Sequence, residues 1–139
     1  MKSEPQGRLA PRSLIAKRVL VADQSASSRE LLRAILEDSG AQVELICYSD
    51  HLVQRALKFL PHAVLLDVTN FGAECVAVVA ALRALEELQG MVIIALAPTA
   101  LYPEPHSMTQ AGFSAILPKP ITPSRLRSVL AQQLAASAR

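Results

Sequence analysis

Residues 18–40 read RVLVADQSASSRELLRAILEDSG. Arg18 to Ala22 is a short apolar run of strand type. From about Ser25, Leu31, Leu32, Ile35 and Leu36 recur at helical spacing, and Gly40 supplies a stop. The same strand-then-helix pattern follows four more times. VELIC (Val43 to Cys47) reads as a strand, and Ser49 can cap a helix with Leu52, Val53, Ala56, Leu57 and Leu60 on one face before Pro61 ends it. Ala63 to Leu66 is the third strand, followed by a helix from Cys75 to Gln89 that stops at Gly90. Met91 to Leu96 is the fourth strand. Ala97 to Pro105 is irregular with three prolines, which leaves a short helix from about His106 to Ala111 before Gly112. Phe113 to Leu117 is the last strand. Thr122 as N-cap with Pro123 at the first helical position opens a helix carrying Leu126, Val129, Leu130 and Leu134.

Five short strands, each followed by a helix, require parallel pairing, because the connections are too long for hairpins and cover both faces of the sheet. The expected fold is a single α/β domain: a doubly wound, flavodoxin-like five-stranded parallel sheet with five helices. Gly40, Gly90 and Gly112 fall where helices take a left-handed exit, a structural role. In such a sheet the carboxyl ends of the strands share one edge, where open α/β folds place their sites. Three runs carry charge to that edge: VLVA ends on Asp23, AVLL on Asp67, and AIL, after one proline, on Lys119.

Composition narrows the function classes. The chain has 139 residues, 51% of them apolar, enough for one sizeable core. No apolar run approaches membrane-spanning length, and MKSEPQGR at the start is not of signal-peptide type, so no membrane contact and a cytoplasmic location are expected. Cys47 and Cys75 lack metal-ligand or CxxC spacing and read as buried reduced thiols. The net charge of +2 divides unevenly: Lys2, Arg8, Arg12, Lys17 and Arg18 against Glu4 give residues 1–18 a net of +4, leaving −2 for the rest. A mildly acidic body without Trp argues against nucleic-acid binding. Residues 1–17 read as a basic flexible leader or linker, and residues 18–136 as the domain. His51, His62 and His106 share no ligand spacing and read as surface residues.

The ligand class at the carboxyl edge follows from the first strand-to-helix turn. A nucleotide or flavin site needs glycines there, so that amides can approach a phosphate; ADQSAS has none. Asp23 attracts a cation instead, and Asp67 supplies a second carboxylate, a donor set that suits Mg²⁺ with waters. Lys119 offers a positive partner for an anion carried on Asp67. A carboxylate beside a metal ion and an ammonium is a plausible acceptor for a phosphoryl group. The plainer alternative is that Asp23 and Asp67 cap loops and Lys119 is their salt-bridge partner, without chemistry. Ser25 reads as an N-cap and Thr99 as a turn residue.

RVLVADQSASSRELLRAILEDSG, HAVLLDV, VIIALAP and AGFSAILPKPITPSRL together resemble the receiver domains of two-component response regulators and hybrid histidine kinases, over about Arg18 to Leu134. The resemblance implies a CheY-like fold and a phosphorelay function: Asp67 as the acceptor of a phosphoryl group from a phosphohistidine, Asp23 as one acid of the metal site, and Lys119 with Pro120 as the family's lysine-proline pair. It further implies Mg²⁺ as cofactor, the backbone carbonyl of Thr69 as a third metal ligand, and a histidine kinase or histidine phosphotransfer protein as partner, docking on the first helix around Leu31 to Glu37. Such a domain is a signalling module rather than an enzyme. It is either a stand-alone regulator or the C-terminal receiver of a hybrid kinase; the chain's end soon after the fifth helix leads to an expectation of no output domain.

Several positions depart from the family pattern. Gln24 stands where a second acid is usual, and a neutral amide oxygen weakens Mg²⁺ binding. Ala97 stands where a hydroxyl residue contacts the phosphoryl group, removing a hydrogen bond to charge of about 1.5–3 kcal/mol. Ile116 replaces the aromatic switch residue, and TNFGAEC (Thr69 to Cys75) replaces a loop that usually contains methionine and proline. Pro98, Pro103 and Pro105 stiffen the loop that moves on activation. These departures define an alternative: a pseudo-receiver with a degenerate site, working as a phosphorylation-independent interaction module or homodimer through the fourth helix, fifth strand and fifth helix.

Overall fold

A computed structural model of the chain describes residues 13–47, 51–69, 73–98 and 105–137. The order is β1 (Arg18–Ala22), α1 (Ala26–Asp38), β2 (Gln42–Ile46), α2 (Leu52–Phe59), β3 (Ala63–Asp67), α3 (Ala73–Arg83), a 3-10 turn (Glu86–Leu88), β4 (Val92–Pro98), α4 (Pro105–Ala111), β5 (Ala115–Lys119) and α5 (Pro123–Ser137). The strands form one parallel sheet in the order β2-β1-β3-β4-β5. This is the doubly wound architecture expected of the alternating pattern.

Strand alternation sorts the apolar residues onto two faces. Val19, Val21, Leu65, Ile94 and Leu96 meet Leu32, Ile35 and Leu36 of α1 and Leu126 and Leu130 of α5. Leu20, Val64, Leu66, Ile93 and Ala95 meet Leu52 and Ala56 of α2, Val79 and Leu82 of α3, and Met108 of α4. Because both faces are covered, β1, β3 and β4 are apolar almost throughout. Among the described residues no helix is long and apolar enough to cross a membrane.

The helix boundaries follow local chemistry. Ser25 is the N-cap of α1, its Oγ accepting the Ser28 amide at 3.2 Å. Thr122 stands before Pro123 in α5, and its carbonyl accepts the Leu126 amide at 3.0 Å. Ser49, the expected cap of α2, and Thr99 and Pro103 lie outside the described residues. The expected helix from Cys75 to Gln89 is shorter: α3 ends at Arg83 and a separate 3-10 turn follows. There Arg83 turns its guanidinium onto the Gly112 carbonyl, at 3.0 and 2.8 Å, and onto Ser114 Oγ at 3.1 Å, tying the end of α3 to the approach to β5.

Four further expectations are corrected. β4 continues through Ala97 and Pro98, paired with Pro118 and Lys119, whereas irregular chain was expected from Ala97; the prolines sit at a strand end and on an edge strand, where a missing amide is tolerated. Cys47 is exposed rather than buried, because β2 is an edge strand that ends at Ile46, while Cys75 is buried as expected. His62 is partly buried, not a surface residue. The leader was expected to reach residue 17, yet Leu14 is 1% exposed in the core and its amide bonds the Ser39 carbonyl at 2.8 Å. Residues 1–12 lie outside the described residues. The packing of this segment explains Gly40: at φ +98°, an added Cβ would stand 2.7 Å from Ile15 Cγ1.

His62 joins the amino ends of the central strands. Its Nδ1 accepts the Arg18 amide at 2.9 Å, its own amide donates to the Arg18 carbonyl at 2.8 Å, and its carbonyl accepts from Val92 at 3.1 Å. The ring must be neutral at Nδ1 to accept. Burial, then the charges of Arg18 and Lys17, lower its pKa from the ordinary 6.5. The unfolded chain therefore binds more protons in this range, so the contribution is intact above about 6.5 and is lost as pH falls through that value toward the lowered native one. The midpoint of urea unfolding should drop between pH 7.5 and 5 more steeply in the wild type than in His62→Gln; parallel pH profiles would refute this role.

Candidate functional site

The parallel register brings the ends of β1, β3 and β5 to one rim, and the three charged residues singled out from the sequence meet there. Lys119 Nζ lies 2.9 Å from Asp23 Oδ2 and 3.7 Å from Asp67 Oδ1. The Asp23 side chain is fully buried, that of Asp67 is 5% exposed, and Lys119 is 19% exposed. Asp67 is the last residue of β3, one position earlier than the loop expected to carry it.

Each carboxylate is oriented by its own turn. Asp23 Oδ1 accepts the Ser25 amide at 2.9 Å, which sets the β1–α1 turn and presents Ser25 as the cap of α1. The Asp23 amide is itself held by the Ile46 carbonyl at 3.2 Å. Arg29, from the first turns of α1, donates to the carbonyls of Asp23 at 2.7 Å and Gln24 at 3.1 Å. Asp67 Oδ1 accepts two bonds from Thr69, from its amide at 3.0 Å and from its hydroxyl at 2.5 Å. The Val68 amide bonds the Leu96 carbonyl at 2.9 Å and fixes the start of that turn to β4. Sequence reasoning named Thr69 for its carbonyl and missed its hydroxyl. The signal was available: a Thr two residues after a turn Asp can close such a bond.

Among the described residues, the buried Asp23 Oδ2 accepts no hydrogen bond, and the Lys119 ammonium lies 2.9 Å from it as its ion-pair partner. A buried carboxylate oxygen with spare acceptor capacity, beside a second carboxylate, fits a hard cation. Among the described residues no cluster of three or more His, Cys, Asp or Glu could hold a metal. Gln24 is exposed at the mouth of the site. Ala97 is fully buried and presents only a methyl group, and Ile116 packs against the core face that includes Met108 and Phe113. Residues 70–72 of the TNFGAEC stretch lie outside the described residues.

The family model of the response regulator receiver domain matches residues 19–131. The chain belongs to this family. This receiver domain is similar to the sensor protein GacS of Pseudomonas syringae pv. syringae, 31% identical over 123 residues that make up 86% of the chain and 14% of that protein. The chain thus spans about a seventh of the length of this curated relative. Among solved structures, it is similar to the receiver domain of sensor histidine kinase PA1611 of Pseudomonas aeruginosa PAO1, which has a magnesium ion coordinated in its active-site cleft. The identity is 24% and the TM-score 0.74, over 86% of this chain and 98% of that one. Chemotaxis protein CheY4 of Vibrio cholerae is 25% identical with a TM-score of 0.73, over 84% of this chain and 97% of that one. The receiver is therefore a signalling domain of two-component type with the CheY-like fold.

Lys119 is the group that makes a fully buried Asp23 tolerable. Removing one partner of a buried pair leaves an uncompensated charge, at a cost of about 3–5 kcal/mol, whereas replacing both with neutral residues costs far less. Lys119→Met should destabilise the receiver by about 3 kcal/mol in urea unfolding, and Asp23→Asn in the same chain should restore most of that loss. Additive effects would show that the two side chains are not coupled.

Proposed function

We propose that the receiver accepts a phosphoryl group onto Asp67 from a phosphohistidine of a histidine kinase or histidine phosphotransfer protein. The observation that carries this reading is the ammonium of Lys119 bridging the two rim carboxylates, with Asp67 the more exposed of the two. In the transfer, an Asp67 oxygen bonds phosphorus as the P–N bond to the donor imidazole breaks, its electron pair leaving with the ring. Charge spread over the phosphoryl oxygens is met by Lys119, which need not move far from its present place between the carboxylates. Before transfer the same ammonium offsets the charge of the buried Asp23, so the site carries a positive group ready for the incoming anion.

A magnesium ion would be held by Asp23, Asp67 and the Thr69 carbonyl, with Gln24 next to Asp23 in the chain, and would supply a second positive charge at the phosphoryl oxygens. With Gln24 neutral, that affinity is weak. The exposed Leu31, 45% accessible on α1, supports donor docking on that helix. The domain acts as a signalling acceptor without turnover of its own, in the cytoplasm with its kinase, whether alone or as part of a longer hybrid kinase; the folded unit includes Leu14.

Incubation with Mg²⁺ and phosphoramidate, a P–N donor, should add one phosphoryl group by intact mass, labile to hydroxylamine. Asp67→Asn should show none, and Gln24→Asp should lower the Mg²⁺ concentration needed. Labelling that persists in Asp67→Asn would place the chemistry elsewhere. A silent wild type, with signalling intact in Asp67→Asn, would make the domain a phosphorylation-independent module.

A further inference from the structure

At the amino edge of the sheet, opposite the rim, a cavity of about 350 Å³ lies between the ends of α2 and α5 and the 3-10 turn. Its volume falls at the lower end of the range for small-molecule sites, about 300–1,000 Å³. Leu60, Met91 and Leu134 line its apolar side, and Leu60 is left 41% exposed. Lys17, Arg18, His62 and Glu87 bring charge and hydrogen-bonding groups to it.

Three of these groups are donors that the described chain leaves without acceptors. Arg18 Nε bonds the Phe59 and Leu60 carbonyls at 3.0 and 2.9 Å, which holds the guanidinium in place and offsets the negative end of α2. Among the described residues no acceptor meets its two terminal nitrogens or the Lys17 ammonium. His62 Nδ1 accepts the Arg18 amide, so the neutral ring carries its proton on Nε2, for which the described residues again supply no acceptor. Two cations against one acid, Glu87, leave the cavity with a single positive charge. Such a site suits a monoanion, and a guanidinium already held in place matches a planar carboxylate while losing little freedom on binding it.

We propose that this cavity binds a small organic monoanion, a carboxylate on an apolar body, with the carboxylate between Arg18 and Lys17 and the body against Leu60, Met91 and Leu134. A phosphate dianion is a poorer match, because Glu87 opposes its second charge. Arg18 opens β1 and Asp23 follows its end; His62 precedes β3 and Asp67 ends it. The cavity and the rim are thus separated by the length of a strand, about 16 Å for five residues. An occupant therefore leaves Asp67 open to its donor. The inference stands on the cavity alone and does not depend on Asp67 being the acceptor.

The test is titration of the isotope-labelled receiver with phenylbutyrate at low salt, read by amide NMR. Saturable shifts at Gly90, Met91 and Ser137, which line the cavity, are expected with a Kd of about 1 mM or below. Phenylbutanol, with the same body and no charge, should bind about tenfold more weakly. Lys17→Glu should weaken phenylbutyrate about tenfold and Glu87→Gln should tighten it about threefold. Neither side chain makes a hydrogen bond or ion pair among the described residues, so both variants should fold. Phenyl phosphate binding more tightly than phenylbutyrate would overturn the assignment of a monoanion. Equal affinity for the alcohol, indifference to both charge variants, or shifts that fail to saturate or that centre on α1 or the rim would overturn the site itself.

Discussion

Parallel pairing is the constraint from which the site follows. Every strand enters the sheet from the same side, so every strand ends on the same rim, and a residue placed last in one strand meets residues placed last in others. Asp23 after β1, Asp67 ending β3 and Lys119 ending β5 are far apart in the chain and converge for this reason. The sheet also supplies the low-dielectric floor. With β1, β3 and β4 covered on both faces, Asp23 is cut off from water, and the ammonium of Lys119 compensates its charge at Oδ2.

Much of this arrangement was legible in residue order. Strand runs such as VLVA and AVLL are apolar throughout because both faces are buried, and the helices between them show their stripes clearly. Charged residues directly after such runs are conspicuous, so Asp23, Asp67 and Lys119 could be picked out without coordinates. Less legible were features that depend on partners distant in sequence. Leu14 looks like part of a charged leader, and its burial depends on a bond to Ser39 and on the space that Gly40 leaves for Ile15. β4 runs on to Pro98 because β5 is there to pair with it, which no local preference of Ala97 or Pro98 reveals. At the early end of α3, Arg83 likewise depends on distant partners, the Gly112 carbonyl and the Ser114 hydroxyl before β5.

With Asp67 as the proposed acceptor, Gln24, Ala97 and Ile116 bear on how a phosphoryl group is met and held. Asp67 and Lys119, which we propose accept and attract the group, stand 3.7 Å apart. Gln24 reduces the pull on a metal ion, Ala97 removes a hydroxyl from the phosphoryl side, and Ile116 gives the core no aromatic ring to reorient. Thr69 donates its amide and hydroxyl to Asp67 Oδ1 and orients that carboxylate at the rim. A domain that binds its group weakly and lets it go readily is poorly suited to keep a second conformation populated, because a shift in population requires differential binding energy that persists.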